Sequence, residues 1–228
     1  MDAVERELKL VPASEGLLDQ LAHIDQLGAL WARGHRRELQ RNSFFDSAAR
    51  SLAEARVGFR RRTVSGQPRA TWSIKGEAER AGGVASRSEI ELQLEADTPP
   101  ALALEALRAA ARSRGALGLA EAVDTALAAG LPLAQPFLET ETDRRIVDLE
   151  EPARGWQVEL ALDRMHVVGH DYAEIEIEAE LKRGDDAALT AAREAIEALG
   201  PVRESEGSKL SRAADHVANC DCLRRAQP

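Results

Sequence analysis

The chain's 228 residues suffice for one large domain or two small ones, and its formal net charge of -9 makes it a poor partner for nucleic acid, whose surface binding is driven by neutralising phosphates with basic side chains. Apolar residues make up 44% of the chain but aromatics only 4%, so a core must rest mainly on Leu, Ala, Val and Ile. No apolar stretch is long enough to span a bilayer and Met1-Asp2-Ala3 opens no secretory signal, so a cytoplasmic protein without membrane contact is expected.

Residues 4–10 alternate, with Val4, Arg6, Leu8 and Leu10 on one face and Glu5, Glu7 and Lys9 on the other, which predicts a strand. Leu17, Leu18, Leu21, Ile24, Leu27, Leu30 and Trp31 form an apolar stripe that predicts a helix over 14–33, ended by Gly34. Strands are expected over 38–46, 57–64 and 69–75, the last two joined by the turn residues Ser65-Gly66-Gln67-Pro68. Ala81-Gly82-Gly83 breaks the chain before an alternating strand over 86–96. Thr98 is the expected N-cap of a helix that opens at Pro99-Pro100 and runs to 114. A second helix is expected over 119–129, stopping at Gly130.

Strands return over 137–149, 155–163, 165–168 and 172–182, and Asp185 caps a helix that runs to 199. The polar stretch from 203 carries a short predicted helix over 211–217. Cys220 and Cys222 make neither a disulfide framework nor a full zinc ligand set, so they read as reduced thiols in a mobile tail. His35, His166, His170 and His216 read as surface or loop residues. No Pro-, Gly- or Ser-rich linker divides the chain, so one domain over 1–215 and a tail over 216–228 are expected.

The polar strand faces are segregated by sign. Arg60 and Arg62 share one face, and Thr71, Ser73 and Lys75 another. Arg87 precedes Glu89, Glu91, Gln93 and Glu95; Arg144 lies in the strand after Phe137; and Gln157, Glu159 and Asp163 share the next. Glu174, Glu176, Glu178 and Glu180 face one way on a single strand, which repels itself unless cations sit against it. Hard divalent cations prefer such carboxylate oxygens, and arginine forks suit phosphate. A polyphosphate bridged by metal to glutamates satisfies both sets, provided the strands curl so that these faces point inward. The expected fold is therefore α+β: a closed antiparallel β-barrel of about eight strands with a charged interior and helices packed outside.

These residues resemble the CYTH domains, the triphosphate tunnel metalloenzymes, over residues 4–215. Glu5-Arg-Glu-Leu-Lys9 matches the family's Glu-x-Glu-x-Lys signature. In order there follow Asn42-Ser-Phe-Phe-Asp46, Gly58-Phe-Arg-Arg-Arg62, Trp72-Ser-Ile-Lys75 and Arg87-Ser-Glu-Ile-Glu91. Asp163, Glu176-Ile-Glu-Ala-Glu180 with Gly184, and Ser208-Lys209 complete the set. The resemblance implies that Glu5, Glu7, Glu176 and Glu178 are catalytic metal ligands, with Asp163 assisting at a second metal. It implies that Lys9, Arg60, Arg62, Lys75, Arg144 and Lys209 clamp a triphosphate, joined by Arg87, and that Glu89 and Glu91 tune the tunnel.

The implied activity is hydrolysis of the terminal phosphate of a small-molecule triphosphate with Mg²⁺ or Mn²⁺, inorganic tripolyphosphate first. Thiamine triphosphate, a nucleoside triphosphate, or cyclisation of ATP in the manner of a class IV adenylate cyclase are the alternatives, and a non-catalytic polyphosphate-binding module is the reading of another class. The His-Phe pair that precedes the signature in the cyclases is absent, and the layout of 99–148 is similar to the bacterial inorganic triphosphatases. A homodimer is left open.

Overall fold

Strands with one charged and one apolar face can bury both only by closing on themselves and covering the outside. The computed structural model describes residues 4–81 and 84–225, and within them the chain does this. The elements are β1 (Val4–Pro12), α1 (Glu15–Leu21), β2 (Gln26–Leu27), β3 (Leu30–Phe44), α2 (Ser51–Glu54), β4 (Gly58–Val64), β5 (Arg69–Lys75), β6 (Glu79–Ala81) and β7 (Val84–Glu95). There follow α3 (Pro100–Ser113), α4 (Leu117–Ala129), β8 (Leu138–Glu151), β9 (Trp156–Val167), β10 (Ala173–Arg183), α5 (Asp186–Leu199), β11 (Val202–Glu204) and α6 (Lys209–Arg225).

The wall runs β1-β10-β9-β8-β3-β4-β5-β7 and closes where β7 pairs back onto β1, Glu5 opposite Arg87. Every pairing is antiparallel, so eight strands form a closed barrel, and the short β2, β6 and β11 extend its edges.

Apolar residues lie outside the wall, beneath the helices. On one side Leu8, Leu10, Leu160, Leu162, Ile177 and Ala179 pack under α1 and α5. On the other, Phe59, Trp72, Ile74 and Ile90 pack under α3 and α4. Helix α5 buries Ala188, Leu189, Ala192 and Ile196, one stripe at helical spacing, and Asp185 caps it by accepting a hydrogen bond from Ala187 N at 3.0 Å. Gly184, just before that cap, has φ +109°, and a Cβ there would lie 2.7 Å from Trp156 Cδ1. Gly184→Ala is expected to destabilise the fold by about 1–3 kcal/mol, read as a lower urea midpoint at unchanged slope.

Several expectations need correction. The helix predicted over 14–33 ends at Leu21; Gln26–Leu27 and Leu30–Phe44 are a β-hairpin. Gly28 turns that hairpin at φ +58°, where its missing Cβ would approach Ala195 Cβ at 3.0 Å. Leu27 and Leu30 fill the core from strands, so burial is satisfied without the helix their spacing suggested. Gly34 lies within β3 at a register shift and ends no helix. The separate strands over 155–163 and 165–168 are one strand, β9. Pro99, not Thr98, occupies the N-cap of α3, without a side-chain cap. The polar stretch after 203 holds β11 and one continuous helix through Arg225, longer than the 211–217 expected, and Cys220 and Cys222 lie within it. Gly82 and Gly83 lie outside the described residues. No helix among the described residues is long and apolar enough to cross a membrane.

Candidate active site

Because strand side chains alternate, one face of each barrel strand is delivered to the lumen. The result is a cavity of about 740 Å³ lined by Glu5, Glu7, Lys9, Arg60, Arg62, Lys75, Arg87, Arg144, Asp163, Glu178 and Lys209. Glu89 and Glu91 line it too. Lys209, the first residue of α6, enters from one end and contacts Asp163, Glu176 at 2.8 Å and Glu178 at 2.9 Å.

The charges form a linked lattice. Lys9 Nζ lies 2.8 Å from Glu178 and 3.3 Å from Glu7. Arg87 bridges Glu5 at 2.7 Å and Glu7 at 2.8 Å. Lys75 lies 3.2 Å from Glu5 and 2.8 Å from Glu89. Arg144 grips both oxygens of Asp163, at 2.7 and 2.6 Å, and reaches Glu178 at 2.6 Å. Burial alone would raise the Glu5, Glu178 and Asp163 carboxyls. The cations outweigh it and hold all three below the usual range: Lys75 and Arg87 for Glu5, Lys209 and Lys9 for Glu178, Arg144 and Lys209 for Asp163.

Two groups stand apart. Arg62 makes no ion pair among the described residues; its Nε donates to Asn42 Oδ1 at 3.1 Å. Burial, with Arg60 and Arg144 nearby, lowers its guanidinium to about 10. Glu89 moves the other way. Burial, against Lys75 and reinforced by Glu5 and Glu91, pushes its carboxyl up to about 8.

An unfolded glutamate titrates at its ordinary 4.5, so the native state holds an extra proton from there up to about 8, and stability falls as pH rises through that window. Anion affinity should likewise fall as pH rises through about 8, because deprotonation adds a negative charge to the wall. Calorimetric titration with tripolyphosphate across that range is expected to show the loss, and Glu89→Gln to flatten it.

Glu176 shares the inward face of β10 with Glu178 and meets the same Lys209 at 2.8 Å, but it is sealed from the open cavity. It is fully buried behind α6, accepting from Ser205 Oγ at 2.5 Å and from Arg212 at 2.8 Å. Arg212, which also holds Glu174, was missed in the sequence; it lies three residues after Lys209 on a helix longer than predicted, and that spacing was the available signal. Glu159 and Glu180, on the strand faces expected to point inward, line the cavity toward the other mouth, together with Lys182, which was missed. Asn42 orients Arg62, whereas Asp46 anchors α2 by accepting from Leu52 N at 2.9 Å and Ala53 N at 3.1 Å.

The carboxylates suit a hard cation in kind. Glu89 Oε1 is buried without a hydrogen-bond partner among the described residues, and lysine and arginine heads sit at Glu5, Glu7 and Glu178 where a cation would be held. No three His, Cys, Asp or Glu side chains among the described residues form a preformed cage. Ser73 Oγ, fully buried and unpartnered, opens on the same cavity. The donor set fits a divalent ion that displaces these ammonium and guanidinium heads, leaving them to turn to a bound anion.

The CYTH domain model matches residues 3–214. Among solved structures, a Hippeastrum protein described as a candidate adenylyl cyclase with a dominant triphosphatase activity superposes with a TM-score of 0.64 at 21% identity, over 93% of this chain and 96% of that one. A candidate adenylate cyclase from Bacillus halodurans gives 0.54 at 19% identity, over 92% and 98%. A Pyrococcus horikoshii protein gives 0.54 at 16% identity, over 93% and 99%. At these identities the superpositions establish a shared fold. No curated protein matches the chain.

Proposed function

The chain belongs to the CYTH domain family, and from that premise we propose that it hydrolyses the terminal phosphate of inorganic tripolyphosphate. The observation that carries this reading is Arg62, a desolvated guanidinium inside a tunnel with no carboxylate partner among the described residues. A buried charge is tolerated when a counter-charge arrives, and a phosphate chain threaded along the lumen supplies one.

Members of this family are generally divalent-metal dependent. Glu5, Glu7 and Glu178, with Asp163 beside them, would hold Mg²⁺ or Mn²⁺, which supplies charge neutralisation and an activated water. This chain's own residues do the rest. Arg60, Arg62, Lys75, Arg87 and Arg144 bind and align the phosphates, and Lys9 and Lys209 add point charges. Glu89, protonated near neutral pH, lines the anion path without opposing it.

An inorganic substrate is favoured over a nucleotide by the aromatics. Phe45 and Phe59 are packed against Trp72 in the core, and the Phe137 ring is covered by Arg50, whose Cζ lies 3.6 Å from its centroid. Phe45 and Phe59 are thereby closed to a base, and Arg50 occupies one face of Phe137. The test is phosphate release from tripolyphosphate, ATP and thiamine triphosphate with Mg²⁺ or Mn²⁺, for the parent protein and Glu7→Gln. Fastest cleavage of tripolyphosphate, lost by ~10²-fold or more in Glu7→Gln, is expected. Binding of tripolyphosphate without turnover of any of the three would replace the hydrolase by a binding module.

A further inference from the structure

Lys9, Lys75, Arg87 and Arg144 are set in the lumen by the barrel wall, on β1, β5, β7 and β8. Lys209 is placed differently: it reaches in from the first residue of α6, on a flexible four-carbon stem whose fixing costs rotamer freedom. Its ammonium meets Asp163, Glu178 Oε1 at 2.9 Å and Glu176 Oε2 at 2.8 Å. Asp163 and Glu178 line the cavity, and both belong to the carboxylates assigned above to a divalent ion. Glu176 does not line it, so Glu176 is the partner that stays with Lys209 when the other two turn to a ligand.

An anchor must itself be held. Glu176 Oε1 accepts from Ser205 Oγ at 2.5 Å and from Arg212 Nη2 at 2.8 Å. Arg212 stands three residues after Lys209, on the same face of α6, and spends its other donors around this pair. Its Nε and Nη2 grip Glu174 at 2.8 Å each, and Tyr172 completes Glu174 at 2.7 Å. Its Nη1 reaches Ser205 Oγ at 2.9 Å and the Glu206 carbonyl at 2.7 Å. Arg80 holds the same stretch from the other side, donating to the Ser205 carbonyl at 2.8 Å and the Gly207 carbonyl at 3.3 Å. The segment that leads into Lys209 is thus clamped between two guanidinium groups. One planar fork makes the Arg212 contacts in fixed directions, which an ammonium cannot copy.

We propose that Arg212 is a positioning residue: by pinning Glu176 and the 205–207 segment it aims the Lys209 ammonium into the tunnel, without touching the bound anion itself. Arg212, Ser205, Glu174 and Glu176 all lie outside the cavity lining, so the effect of Arg212 on the lumen passes through Glu176 and Lys209. The inference rests on the triphosphate reading only for what Lys209 meets in the lumen; how Lys209 is held follows from the contacts alone.

The test is lysine acylation of the unliganded protein at fixed pH, read residue by residue by mass spectrometry, with calorimetric titration of tripolyphosphate beside it. The parent, Arg212→Lys, Glu176→Gln and the double variant are compared. Arg212→Lys keeps a cation beside Glu174 and Glu176, so it is expected to fold. In it Lys209 should acylate about tenfold faster, a charge-assisted hydrogen bond's worth, with Lys9 and Lys75 unchanged, and tripolyphosphate should bind about tenfold more weakly. Because Arg212 acts through Glu176, adding Arg212→Lys to Glu176→Gln should change Lys209 little further. Ser205→Ala, which removes the other hold on Glu176 Oε1 without touching a charge, should move Lys209 in the same direction. Parent-like Lys209 in Arg212→Lys, additive effects in the double variant, or an equal rise at Lys9 and Lys75 overturns the positioning role. Failure of the triphosphate reading is separate: tripolyphosphate then fails to bind the parent while the acylation pattern stands.

Discussion

Arg144→Ala is expected to cost the fold about 3–5 kcal/mol and roughly 10 °C in melting temperature, alongside weakened tripolyphosphate binding. Arg144 satisfies both oxygens of Asp163, which is almost wholly buried, and one of Glu178. Its removal leaves Lys209 as the one cation on the buried Asp163, while Glu178 keeps Lys9 and Lys209, so the uncompensated charge falls mainly on Asp163, the situation in which breaking an ion pair is most damaging. The same cations hold the Asp163 and Glu178 carboxyls low, so both must take up protons at a higher pH once Arg144 is gone. Their stabilisation is present above the ordinary carboxylate range and lost as pH falls through the depressed values, and in the variant that loss should begin at higher pH. Chemical denaturation at neutral and acidic pH checks both statements. A variant as stable as the parent would mean that the lattice relaxes around the hole and that Arg144 serves the ligand alone.

The barrel was legible because it is written in the alternation. Glu5, Glu7 and Lys9 against Leu8 and Leu10, or Glu176, Glu178 and Glu180 against Ile177 and Ala179, define two faces at a period of two. Segregation of charge by strand then chose which face went inward. Closure delivers Arg60, Arg87 and Arg144 to one lumen although they are far apart in sequence. What stayed hidden depends on tertiary packing. Leu27 and Leu30 fit a helical stripe as well as a hairpin, and only the pairing of β3 with β8 decides between them. Glu176 shares its face with Glu178, yet α6 covers one and leaves the other open; α6 docks by the short stripe Leu210, Ala213 and Val217, which does not by itself say which strand ends it covers.

Arg62→Met should separate stability from function in the opposite sense to Arg144→Ala. Arg62 carries its charge against burial, Arg60 and Arg144, which together lower its guanidinium to about 10, and its one hydrogen bond is to the neutral Asn42. Methionine keeps most of the stem and removes the uncompensated charge, so stability should hold within about 1 kcal/mol or rise. The anion then loses the fork that has no other partner to satisfy. Tripolyphosphate turnover is expected to fall by roughly 10²–10³-fold, the scale for deleting one preorganised donor at a developing charge. Lysine should restore part of the charge but not the planar fork, giving an intermediate rate. The two measurements read the residue independently. A destabilised Arg62→Met would make Arg62 a structural member of the lattice, and full activity in a stable Arg62→Met would remove the observation on which the triphosphate assignment rests.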